Sequence, residues 1–287
     1  MKNNVLRVLV VILGLLLGWF GFQWWQSRQF ALEYLQEDFL LNRRADAVPI
    51  QPQAPEKTEE MKLIEAINTR NASINCVSCN VDIRATHQFT VKLTAVIHHE
   101  KKLRFRMLTN SVLGRESDIG SNDTQFWFWS KRMDPPCLYW GQQENLMKSR
   151  LKSPFNPEFL VGLLGVVEID TQGASVVRHG KHIAILQPRI STNGEPITKV
   201  TLIDHQRSVV VGHYLYDQND KLIASAEVES LLTTNTGHII PKKLKMVWYE
   251  ENILVEWTLR DIRINGPQSP SNFQMPNIST EKVELGK

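Results

Sequence analysis

The chain carries no G-x-S-x-G nucleophile elbow, no H-E-x-x-H zinc helix and no phosphate-cradling G-x-x-x-x-G-K loop. None of the local geometries behind serine hydrolysis, zinc proteolysis or P-loop nucleotide binding is encoded. Charge of one sign is equally scarce. Thirty-three Lys and Arg against 30 Asp and Glu leave a net charge of +3, too weak to argue for phosphate-backbone binding. No RNP, helix-turn-helix or zinc-finger pattern supplements it. These absences point away from an enzyme, from a cofactor and from nucleic acid as a partner.

Cysteine is limited to Cys76, Cys79 and Cys137. A C-x-x-C in an exported chain suits a redox pair, half a zinc site or a structural pair. A redox pair sits at a helix N-terminus, whereas the flanks here read as a turn into a strand. A zinc site needs further ligands, and neither His98-His99 nor His179 and His182 stand at a telling spacing. The expectation is no metal, and either a structural disulfide (Cys76 with Cys79, or one of them with Cys137) or unpaired thiols. Glu116 and Asp118, two apart on one strand face, read as a solvated turn edge rather than paired catalytic carboxylates.

Residues 8–25 contain no charge and end in Trp24 and Trp25. As a helix they would span roughly 27 Å, close to a hydrocarbon core. Lys2 and Arg7 precede them, Arg28 follows, and no small-x-small cleavage site is evident. The reading is an uncleaved signal anchor over 1–28 in the inner membrane, with the rest of the chain in the periplasm. Residues 29–58 hold a juxtamembrane amphipathic stretch and a linker stiffened by Pro49, Pro52 and Pro55. That linker, about 14 residues, reaches at most roughly 45–50 Å, so a tethered domain would act locally.

Helical spacing of Met61, Ile64 and Ile67 predicts a helix over 59–71, after which the apolar period falls to two. Strands are expected at 89–97, 103–107, 126–129 and 137–140, then at 182–187, 198–204, 208–216, 221–232, 242–249 and 253–265. His98 to Lys102 reads as a hairpin turn. Pro157 and the run FLVGLLGVV predict a short apolar helix over 156–167. The pattern describes one α+β domain over 59–265, mainly β, in which a large curved antiparallel sheet forms an incomplete barrel around helices. Residues 266–287 make a Pro/Ser/Asn-rich surface tail.

The densest signal is ESDIGSNDTQFWFW, residues 116–129. It reads as a charged Gly/Asn turn followed by an aromatic strand. Alternation puts Phe126 and Phe128 on one face and Trp127 and Trp129 on the other. A sheet apolar on both faces suggests a core on one side and a lipid-facing hollow on the other. The two Phe are expected to face inward.

Several segments taken together resemble the LolA/LolB-like outer-membrane lipoprotein-sorting proteins. They are KLRFRM at 102–107, the block Gly114-x-Glu116-x-Asp118-x-Gly120-Ser121-Asn122-Asp123 followed by Phe126 to Trp129, IPKKL at 240–244, WTLRDIRIN at 257–265, and Phe273-x-Met275-Pro276. The similarity spans roughly residues 60–280. It implies an eleven-stranded, incompletely closed sheet wrapped around helices, with a concave apolar face that receives lipoprotein acyl chains. Two features depart from those families: no signal cleavage site and no lipidated Cys are evident.

The resulting expectation is a membrane-anchored periplasmic protein that holds lipid or lipoprotein acyl chains for local hand-off. Candidate lining residues are Phe105, Met107, Phe126, Phe128 and Trp140 from the first half, and Leu160, Leu163, Leu164, Trp248 and Trp257 from the second. The alternative is an envelope scaffold that uses the same sheet to hold a protein partner.

Overall fold

Among the described residues, alternating apolar positions closed by short polar turns build fourteen strands into a single sheet. The computed structural model describes residues 58–100, 104–133, 136–143, 161–190 and 195–285. The apolar span at 8–25, the Pro-rich linker, Lys101, Lys102 and Leu160 lie outside them. Among the described residues no helix is long and apolar enough to cross a membrane.

Helix α1 spans Glu59–Ala72. Thr58 caps it, its hydroxyl accepting from the Met61 N–H, and Glu59, Glu60 and Arg70 complement the helix dipole. Ile64 and Ile67, one turn apart, are buried against Ile183, Ile185 and Ile203 of the sheet.

The strands are β1 (Cys76–Thr86), β2 (Thr90–Glu100), β3 (Arg104–Ser111), β4 (Gly114–Ser121), β5 (Gln125–Ser130), β6 (Cys137–Gln142) and β7 (Ser175–His179). They continue as β8 (His182–Ile190), β9 (Pro196–Asp204), β10 (Val209–Asp217), β11 (Leu222–Thr233), β12 (Ile239–Trp248), β13 (Ile253–Ile264) and β14 (Glu281–Glu284). Their order is β14-β6-β5-β4-β3-β2-β1-β13-β12-β11-β10-β9-β8-β7. Two meanders, β1 to β6 and β7 to β13, are joined where β1 pairs antiparallel with β13. Only β14 runs parallel to its neighbour, β6.

Sequence pattern gave about ten strands; the sheet adds β1, β4, β7 and β14. The difference is instructive at β4. Glu116 to Asp123 was expected to be a turn because it is rich in Gly, Asn and acid, yet residues up to Ser121 belong to a strand, Gly114–Ser121, paired on both edges. The turn proper is confined to 122–124, where Asn122 Oδ1 accepts from the backbone N–H groups of Thr124 and Gln125. Likewise His98, His99 and Glu100 belong to β2 rather than to a turn. The 156–167 helix is described only from residue 161; residues 161–163 are helical and the chain turns at Leu164 and Gly165.

Of the two alternatives for the cysteines, the thiols are unpaired and the candidate disulfide of Cys76 with Cys79 is not formed. Cys76, Cys79 and Cys137 are all buried free thiols. Cys76 and Cys79 lie three apart on the extended β1, in unbroken register with β2. They therefore point to opposite faces with Cα atoms about 10 Å apart, beyond disulfide reach. Cys76 Sγ donates to the Gly266 carbonyl at 3.0 Å, and burial pushes the Cys79 thiol up to about 12.

Residues 266–285 do more than lie on the surface. A 3-10 turn at Pro270–Phe273 buries Phe273, Met275 and Ile278 pack on Trp127, Trp129 and Leu138, and β14 extends the sheet.

Two outcomes test this packing. A Cβ at Gly120 would overlap the Trp127 ring and sit 2.9 Å from the Phe105 carbonyl oxygen. Gly120→Ala is expected to cost roughly 1–3 kcal/mol in urea unfolding, as overpacking does; an unchanged midpoint would refute the close approach. Thiol titration should give three reactive groups in denaturant and slow reaction without it, whereas a titre of one would restore a disulfide.

Candidate functional site: the inner face of the sheet

One face of the sheet carries α1 and the 161–167 segment; it is the inner face. Cross-strand register assigns side chains to it row by row. Cys79, Ile97, Met107, Ile119, Phe128 and Tyr139 stand opposite one another across six strands. On the other meander Ile185, Thr201, His213, Ala226, Met246 and Val255 make the corresponding row. Most of the apolar members of both rows fall in one cluster with Phe105, Leu163, Leu164, Trp248 and Trp257. Leu93, Phe128, Leu215, Val228 and Ile253 pack at its margin and stay partly exposed.

Of the candidate lining residues, Phe105, Met107, Leu163, Leu164, Trp248 and Trp257 are thus brought together on this face, with Phe128 against them. Phe126 is buried beside Gly141, the residue it pairs with on β6. Trp140 is on the wrong side. It pairs with Trp127 across β5 and β6 and packs with Trp127, Trp129 and Leu138 on the outer face. Counting from Cys137 at the strand's start could not reveal that parity.

Polar groups on the inner face are few and satisfied. His213 accepts from the Thr201 hydroxyl at Nδ1 and donates from Nε2 to the Gly162 carbonyl, each 3.2 Å away, so it pins the 161–163 turn to the sheet. Asn71 adds a second pin, donating to the carbonyls of Gly165 and Val167. Burial holds His213 down at about 3 and His99 at about 4; His99 donates from Nδ1 to the Arg104 carbonyl. Both are neutral at pH 7.

The GxExDxG block explains itself on the outer face. Asp118 and Gly120, opposite Trp129 and Trp127, share that side of β4. Asp118 is wholly buried. It accepts from Arg106 through both oxygens, at 3.1 and 2.7 Å, and from the Trp127 indole N–H at 2.9 Å. The absence of a side chain at Gly120 lets that ring lie flat over the strand. Glu116, also buried, accepts from Ser111 and Arg132 at 2.6 and 2.9 Å, and these hydrogen bonds, Ser111 first, hold its carboxyl below the usual range. Neither acid is the solvated turn edge expected of it. Each is a structural anchor, and the period-2 spacing of the block was the signal that could have shown it. Among the described residues no group of His, Cys, Asp and Glu is arranged to hold a metal.

No protein-family model and no curated protein sequence matches the chain. Solved structures do. A candidate outer membrane lipoprotein-sorting protein domain from Vibrio parahaemolyticus is 11% identical, with a TM-score of 0.54 over 74% of this chain and 94% of that one. A DUF1329-family protein from Desulfovibrio piger is 12% identical, with a TM-score of 0.52 over 75% and 95%. A LolA-superfamily protein from Nitrosomonas europaea is 10% identical, with a TM-score of 0.50 over 74% and 97%. The chain has the LolA-like fold, one large, open, mostly β sheet with few helices.

The buried histidines set an acid dependence. A His whose folded value is depressed contributes stability fully above its unfolded value of about 6.5, and loses it as pH falls toward the folded value. The urea midpoint should therefore fall steadily from pH 7 to pH 4.5, and His213→Gln should flatten that slope. A midpoint independent of pH over that range would contradict the buried neutral imidazoles.

Proposed function

We propose that this chain is a membrane-anchored periplasmic lipid- or lipoprotein-binding protein that holds acyl chains against the inner face of its sheet for local hand-off. One observation carries the reading. The inner face carries one apolar cluster that runs from β4 across the β1–β13 junction to β11, and its margin leaves Leu93, Phe128, Leu215, Val228 and Ile253 only partly covered. The fold it shares with a candidate lipoprotein-sorting domain and a LolA-superfamily protein supports the ligand class. Each acyl CH₂ buried there contributes about 0.8 kcal/mol, so binding requires no catalytic group. The anchor rests on the uncharged residues 8–25 and the Lys2/Arg7 flank.

A second reading, an envelope scaffold, draws on the tight burial of Met107, Trp248 and Trp257 by their neighbours. A fluorescent fatty acid titrated into wild type, Phe128→Ala and Trp129→Ala, with melting curves alongside, separates the two. Phe128→Ala should weaken the probe and move the melting temperature little. Trp129→Ala, on the other face, should leave affinity intact and lower stability toward the roughly 3–5 kcal/mol of a buried aromatic. If wild type binds no probe and both substitutions only destabilise, the scaffold reading replaces the lipid one.

A further inference from the structure

Among the described residues the sheet has two edge strands, β14 and β7, and they are finished differently. β14 reads Glu281-Lys282-Val283-Glu284, charged at three of its four positions. Charges of this kind guard an edge against a further strand. β7 reads Ser175-Val176-Val177-Arg178-His179 and is exposed at every position but Val176. It contains no Pro, and its register with β8 runs without a bulge. Its one formal charge, Arg178, lies 3.8 Å from Glu60 of α1. Val177, 46% exposed, stands at the centre of the strand. The other large exposed apolar residues among those described lie elsewhere: Phe89, Val112 and Leu113 in hairpin turns, Ile190 and Leu232 at or next to the ends of their strands. β7 therefore lacks the devices by which edge strands repel a neighbour.

Register decides what can pair with it. An antiparallel neighbour that continues a sheet sets opposite one another residues that share a face. On β7, Ser175, Val177 and His179 share the outer face, and Val176 and Arg178, opposite Ile185 and Ile183, the inner one. For two copies related by a two-fold axis, a register centred on Arg178 would oppose two guanidinium groups. One centred on Val176 would set His179 against Gly173, beyond the strand. Centred on Val177, all five residues pair. Val177 then meets the partner's Val177, Ser175 meets the partner's His179, and Val176 meets the partner's Arg178. The stem of that arginine covers the valine while its head stays beside Glu60. No like charges are opposed.

We propose that β7 is a self-association edge, which pairs antiparallel with β7 of a second copy about a two-fold axis through Val177. Five residues a side fall well short of the roughly 800 Å² per partner that a stable protein pair buries. The dimer is accordingly weak and dependent on concentration. Its sheet runs unbroken through both copies, with their inner faces on the same side. The pairing uses an edge rather than the apolar inner face, so it is independent of acyl-chain binding there.

The test uses the full-length chain in mild detergent and a readout specific to the register, so that association through any other segment does not imitate it. The native thiols are buried, which keeps background oxidation slow. In the proposed register two Val177→Cys residues face each other with Cα atoms about 4.5–5.5 Å apart, within disulfide reach. Two His179→Cys residues, equally exposed on the same strand, are roughly 14 Å apart. Mild oxidation should therefore link Val177→Cys into dimers at least about tenfold faster than His179→Cys, since only the first pair meets the distance limit. Val177→Lys sets two like charges opposite each other and should weaken the dimer seen by sedimentation at least about tenfold, with the melting temperature unchanged. Mixing it with Val177→Glu should restore a mixed dimer. Equal cross-linking at 177 and 179, or a lysine variant that dimerises like wild type, would overturn the proposal. So would a chain that stays monomeric at every concentration, which would leave the edge to a strand from a different protein.

Discussion

The pairing of β1 with β13 is the contact on which the rest of the molecule depends. It joins residues nearly the whole domain apart, such as Ile83 with Trp257 and Val81 with Leu259, and without it there are two separate meanders. With it, the inner rows of both halves become one surface, and a cluster can run from Ala226 on β11 to Phe128 on β5. The irregularity between Ser78 and Asn80 sits on this pairing and lets Cys76 and Asn265 close the end of the strand pair, where the Asn265 N–H donates to the Cys76 carbonyl. Long-range closure of this kind cannot be compensated locally, so the domain is expected to fold late and as a unit.

A sheet with apolar residues on both faces must cover both. On the outer face that cover is the 266–285 segment, and the carboxylate of Asp118 organises it. Burying a charge costs several kcal/mol unless geometry and partners are good. Here two Arg106 bonds and one indole N–H satisfy it. Arg106 in turn reaches the carbonyls of Ser271 and Asn272, and Asn122 donates to that of Phe273. The buried ion pair thus links the aromatic strand to the tail that shields it. Removing one partner would leave an uncompensated charge.

Much of this was legible from residue periodicity. Helix α1 came within a residue of its bounds, and the hairpins from β8 to β13 nearly so, because their apolar alternation is regular and their turns are polar. Parity alone separated Phe128 from Trp127 and Trp129; placing the Phe inward drew on the Trp N–H, which tolerates a wetter surface. Failures arose where composition contradicts the pairing. Gly and acid in β4 mimic a turn until Asp118 is known to be matched to Arg106 on the neighbouring strand. Trp140 depends on a register that β5 sets and β6 does not announce. Cys76 and Cys79 look like a pair in sequence and are separated by the pleat. For Asp118 and Trp140 the deciding partner lies on another strand; for the cysteines it is the pleat of β1 itself.

Magnitudes decide whether so well packed an inner face can accept a ligand. The strands between β6 and β8 cannot yield, since each is tied on both edges. The 161–167 segment can, because it rests on the sheet through Val161, Leu163, Leu164 and Val166 and through the hydrogen bonds of His213 and Asn71. Re-exposing side chains of this size costs roughly 1.5–3 kcal/mol each, and each hydrogen bond adds about 1 kcal/mol. Moving the whole segment therefore costs on the order of 10 kcal/mol. An acyl chain of about 14 methylenes recovers about 11 kcal/mol at 0.8 per CH₂. The two are close enough that a long acyl chain can exchange for the segment and a short one cannot. On the proposed reading, chain-length selectivity follows from the cover rather than from any residue that contacts a headgroup.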